Sequence, residues 1–154
     1  MRWARTILGA GVWCAALACS GFFSEEEPPT PILVENEDGS VQTITQGSAA
    51  EIPPDFPLPL PPGLQPESSI VSSDGGPTIL SFRLENAEQA VEMVEFYGEW
   101  FEAEGLTAEV RSTNLAGMKS TALSAKREGH TLAVAVMDGM DTRMLTLTST
   151  PPSE

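Results

Sequence analysis

From Ser68 onward the apolar positions of the chain switch between a two-residue and a 3.6-residue rhythm, and the switches predict its elements. Leu80, Phe82 and Leu84 alternate with Ser81 and Arg83, the pattern of a strand buried on one face. Ser68–Ser73 precedes it, and Asp74-Gly75-Gly76-Pro77 between them predicts a turn. Asn86 then offers a helix cap, Gln89 three places on completes a capping box, and Gly105 offers a stop. Between those signals Ala87, Ala90, Val94, Tyr97, Gly98 and Phe101 share one face at helical spacing. Glu88, Glu92, Glu95, Glu99 and Glu102 share the opposite face without a basic partner. Such adjacent like charges cost an isolated helix a few tenths of a kcal/mol per pair, so packing of the apolar face must outweigh them.

After the helix the period returns to two. Leu106, Ala108 and Val110 alternate with Thr107, Glu109 and Arg111, and Ser120–Arg127, Thr131–Met137 and Thr142–Ser149 read as three further strands. Arg127-Glu128-Gly129-His130 and Asp138-Gly139-Met140-Asp141 read as hairpin turns. The expected order is β-β-α-β-β-β-β: an α+β domain of two layers, one amphipathic helix packed on a mostly antiparallel sheet. It spans residues 67–150, and residues 151–154 form a tail.

Upstream the pattern is lost. Residues 20–66 carry Glu25, Glu26, Glu27, Glu35, Glu37, Asp38, Glu51 and Asp55, and neither lysine nor arginine. Acidic chain with so little to bury is expected to stay extended and disordered, so residues 19–51 read as a tether. Ile32-Leu33-Val34 is its one candidate strand. Residues 52–66 differ: prolines interleave with Phe56, Leu58 and Leu60 and hold the backbone near polyproline II. This segment is expected to pack on the head. It would cover a flank of the helix made by Met93, Phe96 and Trp100, where Phe96 and Trp100 stand four residues apart. Were the segment free instead, Met93, Phe96, Trp100, Phe56, Leu58 and Leu60 would form a candidate partner surface, since aromatic side chains often anchor protein interfaces.

The N-terminus has its own pattern. Arg2 and Arg5 precede Thr6–Ala18, an uncharged and mostly apolar stretch of 13 residues. That is too short for a membrane-spanning helix, which takes about 20 residues, and it fits a signal peptide of residues 1–18. The leader ends Ala15-Ala16-Leu17-Ala18-Cys19-Ser20, which resembles the lipobox of bacterial lipoproteins. The resemblance implies a diacylglyceryl group on the Cys19 sulfur, cleavage before Cys19 and usually an acylated amino group. Leu17 stands one place later than the commonest pattern has it. Ala16-Leu17-Ala18 also reads as an ordinary Ala-x-Ala site cut at the same bond, which leaves the choice of signal peptidase open. Cys14 is the competing cysteine, but Trp13 precedes it and it lies inside the apolar stretch. A lone exposed thiol in an oxidising compartment is a liability, and two or three acyl chains on Cys19 would anchor the protein firmly.

Composition removes several functions. The chain of 154 residues has a formal net charge of −14, which disfavours nucleic acid as a partner. Cleavage would remove two arginines and no acid. With one histidine and two cysteines, both within the first 19 residues, no usual zinc site and no disulfide framework is expected, and no cofactor is implied. No nucleophile elbow, phosphate loop or dinucleotide fingerprint occurs. His130 reads as a solvated turn residue, and Asp138 and Asp141 lack the further ligands of a calcium loop. The expectation is a protein that is not an enzyme.

Residues 52–150 also resemble small uncharacterised domains of bacterial envelope proteins. Those domains open with a segment like Asp55-Phe56-Pro57-Leu58-Pro59-Leu60-Pro61-Pro62-Gly63 and carry a helix like Ala90–Tyr97, ending before Gly105-Leu106. The resemblance implies no activity. Together these readings lead to a lipoprotein of the cell envelope, held to the membrane through Cys19 and carrying a non-catalytic binding or assembly domain. Ser20 after the cysteine is compatible with the outer membrane, with the head in the periplasm and an envelope protein as partner. The alternative is a soluble secreted or lipidated carrier of a small apolar ligand, with Ala133 and Ala135 lining its space.

Overall fold

The computed structural model describes residues 29–37, 39–73 and 75–152. The leader, Cys19, residues 20–28 of the expected tether, Asp38, Asp74 and the last two residues of the tail lie outside the described residues. Eight strands and one long helix follow in the order β1 (Ile32–Glu35), β2 (Val41–Gln46), a short 3-10 turn (Gly47–Ala49), β3 (Ser68–Ser72), β4 (Thr78–Arg83), α1 (Ala87–Ala103), β5 (Glu109–Leu115), β6 (Met118–Arg127), β7 (His130–Asp138) and β8 (Arg143–Thr150). All strands join one antiparallel sheet, ordered β1-β2-β3-β4-β8-β7-β6-β5. From β3 onward this is the α+β order that the alternation predicts.

The helix forms where its signals stand. Asn86 Oδ1 accepts the Gln89 N–H at 2.8 Å, and the Gln89 side chain accepts from the Glu85 N–H at 2.8 Å, one residue further back than a capping box requires. At the other end Gly105 adopts φ +70°, donates to the Glu102 carbonyl, and turns Leu106 to donate to Phe101. This pair of bonds satisfies two carbonyls that the helix would otherwise leave open, and the left-handed φ is the reason for glycine here.

The helix crosses from β4 to β5 over β6, β7 and β8. Its buried side chains are Ala90, Met93, Tyr97 and Phe101, so Met93, expected on the flank with Phe96 and Trp100, is taken into the core at the border of the stripe. Ala87, expected on that face, is the first residue of the helix and is exposed. The five glutamates all face solvent. Opposite the helix, the register aligns Leu80, Leu147, Val134 and Leu123 in one row across β4, β8, β7 and β6. Phe82, Leu145 and Val136 form the next row, and both rows are buried.

Two expectations fail at the margins. Residues 32–46 are not a disordered tether: β1 and β2 form a hairpin, and β2 pairs with β3 from Gln42↔Ser72 to Gln46↔Ser68. The head therefore begins near residue 32, not 67. The physical reason is non-local. An edge of β3 needs backbone partners, and β2 supplies them while placing Thr45 opposite Ser69, where the two buried hydroxyls share a hydrogen bond of 2.6 Å. Asn36 closes the hairpin loop by bonding Ser40 and Gly39, the latter at φ +82°. The second failure is β5. It runs from Glu109, not Leu106, to Leu115, and every residue of it is exposed, Val110 included. It is the edge strand beyond the reach of the helix, so its alternation does not report a buried face.

Candidate functional site

The proline segment lies against the same face of the sheet as the helix. Leu58 is buried in the core with Leu80, Phe82 and Tyr97, and Ile52, Phe56 and Leu64 pack against that core. The Tyr97 hydroxyl donates to the Pro59 carbonyl at 2.9 Å, tying the segment to the middle of the helix. Burial pushes the Tyr97 phenol well above its ordinary pKa. Phe96 packs edge-on to Tyr97, and Trp100 edge-on to Phe101, at centroid separations of 5.0 and 5.2 Å.

These positions divide the six residues proposed as a partner surface. Leu58 and Met93 are buried and offer nothing to an outside partner, because the core takes them up. Phe56, Phe96 and Trp100 are half-buried against the core. Leu60 alone projects, 42% exposed. The six therefore do not form one continuous exposed patch.

His130 is the first residue of β7 and, paired with Arg127, closes the turn centred on Glu128 and Gly129 at φ +51° and +87°, but it is half-buried and not solvated. Its Nδ1 is buried without a hydrogen-bond partner among the described residues. Asp138 closes β7 and holds Arg143 Nε at 2.7 Å, so it is a structural partner in the β7–β8 hairpin. Among the described residues no three metal-binding side chains come together.

Among the described residues two open features bear on function, and the sequence pattern singled out neither. One is a recess of about 170 Å³ beside the first turns of α1, floored by Thr121 and Val136 and walled by Ala90, Val91 and Val94. Lys119, Glu95 and Asp138 stand around it. It lies between the first half of the helix and the strands β6 and β7. The other is the far face of the sheet. Ile32, Ile44, Ile70 and Ile79 face one another in a single cross-strand row over β1, β2, β3 and β4. Thr148, Ala133 and Ser124 continue the row over β8, β7 and β6. Each of these residues alternates with a helix-facing neighbour, so the row points away from the helix. Ala133 and Ala135 belong to that face, and so they do not line a space beneath the helix.

No protein-family model, curated protein or solved structure matches the chain. The geometry thus defines a class only: a one-helix, eight-stranded antiparallel α+β domain with one covered and one open sheet face.

Proposed function

We propose that the chain is an envelope lipoprotein, anchored through acyl chains on Cys19, whose α+β head acts as a non-catalytic binding or assembly domain. The observation that carries this reading is the leader: two arginines, a short apolar stretch and a small residue directly before Cys19. The head supports it with an open sheet face and an exposed edge strand, surfaces on which proteins associate. The outer membrane, with the head in the periplasm, is the proposed location on the strength of Ser20.

Intact mass of the protein extracted from membranes tests the anchor. The expected mass is that of residues 19–154 plus a diacylglyceryl group, with or without a third acyl chain. The mass of unmodified residues 19–154 overturns the lipid and leaves a secreted protein. The recess beside α1 supports the carrier as a second reading. Fatty acid or lipid co-purifying at close to one molecule per chain, and lost on Val94→Trp, would favour that reading over assembly.

A further inference from the structure

We infer that the open face of the sheet is a self-association surface, on which a second copy of this chain packs face to face as a two-fold dimer. This deepens the assembly reading by naming the partner, and it is independent of the lipid.

Charge is the first argument. The chain has a net charge of −14, and the glutamate stripe of α1 makes the helix side a surface that repels its own copies. The open face is the exception. The register places only Glu109, Arg83, Arg111 and Lys126 on it, all near its margins. The arginines there hold Glu67 and Glu109 in surface ion pairs. Two copies meeting on this face bring no acidic stripes together.

Shape is the second. The isoleucine row occupies the β1–β4 half of the face, whereas Ala122, Ser124, Ala133 and Ala135 give the β6–β7 half small side chains. A two-fold axis running along the strands sets the β1–β4 half of one copy over the β6–β7 half of the other. Large side chains then stand over small ones, twice, as an isologous interface requires. Sheets pack in this way about 10 Å apart with their strands roughly aligned.

Area is the third. Eight strands spaced about 4.8 Å apart, each roughly six residues long at about 3.3 Å per residue, give a face of about 750 Å². A standard stable interface buries about 800 Å² per partner. Isoleucine is also an unusual choice for a solvated face, and Ile32 is 53% exposed in the single chain. At the same end of the face as the β5–β6 turn, Leu115 is 74% exposed and Met118 is exposed beside it.

The test uses the full chain in detergent, with micelles in large excess over protein so that shared micelles are rare. Sedimentation velocity is expected to show a reversible dimer at micromolar concentration. Ala135→Glu and Ile70→Lys each place a charge on both sides of the two-fold interface, and each is expected to raise the dimer dissociation constant at least about 100-fold. Both side chains lie on the far face, half-buried only by their cross-strand neighbours and outside the core, so the thermal midpoint of dilute protein is expected to stay within a few degrees. If one variant fails to fold, the other carries the test. A wild-type chain that remains monomeric to about 100 μM overturns the inference, as does a dimer that both substitutions leave intact. Either result leaves the mass of the membrane-extracted protein, and hence the anchor, to stand or fall by itself.

Discussion

Tyr97 joins three parts of the molecule: it comes from the helix, its ring is wholly buried, and its hydroxyl holds the carbonyl of Pro59. Because burial disfavours the phenolate, its pKa is raised in the folded state. The stabilising contribution is then complete below the unfolded tyrosine pKa of about 10 and falls as pH rises above it. Denaturant unfolding from pH 8 to 11 is expected to show this alkaline loss. In Tyr97→Phe that component disappears, while stability at pH 8 drops by about 1 kcal/mol for the lost hydrogen bond. An unchanged alkaline slope in the variant would mean that other groups set it. Leu58 makes a second residue-scale test, since it is 3% exposed although it lies in a proline-rich run. Leu58→Ala is expected to cost roughly 2–5 kcal/mol in urea unfolding, as cavities in cores do. A cost below about 1 kcal/mol would show that the segment adds little to the fold.

Elements differ in how much of themselves they specify. The helix carries its own start, stripe and stop, all within 20 residues. Gly105→Ala puts a β-carbon on a backbone at φ +70° and is expected to destabilise by about 1 kcal/mol, read from the same urea transition. The β1–β2 hairpin is the opposite case. Val41–Gln46 reads Val-Gln-Thr-Ile-Thr-Gln, β-branched residues whose two apolar members fall on opposite faces, a weak strand signal inside an acidic segment. What holds it is the β3 edge and the buried Thr45–Ser69 hydrogen bond. Thr45→Val keeps the shape and leaves the Ser69 hydroxyl unpaired. The expected result is a loss of about 1–3 kcal/mol and faster amide exchange in β2 and β3, with α1 amides slowed or quickened only through the global change. Exchange in β2 that does not respond would mean that backbone pairing alone secures the hairpin.

At the scale of the whole molecule, the sheet is continuous from β1 to β5 and its core lies on one side only. Residues 32–46 are therefore expected to unfold together with the head. Trp100 fluorescence, far-ultraviolet circular dichroism and the exchange of β2 amides should share one urea midpoint. An early transition confined to β1 and β2 would restore the linker reading for that segment. The same one-sidedness leaves the isoleucine row without a cover among the described elements. That links the fold to the self-association proposed above.

The sequence by itself determined what depends on neighbours within a few positions. The helix caps, the glutamate stripe, the turns at glycine and the alternation of β4, β6, β7 and β8 were all legible, because each signal and the structure it specifies occupy the same short stretch. The leader motif at Cys19 is of that local kind too. Tertiary structure alone decided the rest. Leu58 could not be distinguished from Leu60 by pattern, since both follow proline; only the approach of Tyr97 and the core buries one and leaves the other projecting. Val110 alternates like a core residue and is exposed because the helix stops short of β5. The isoleucines at 32, 44, 70 and 79 share no local period, and they form a row only because four strands, distant in sequence, pair in one register. Strand pairing brings together residues that no short-range rhythm connects, so the open face was invisible until the sheet was assembled.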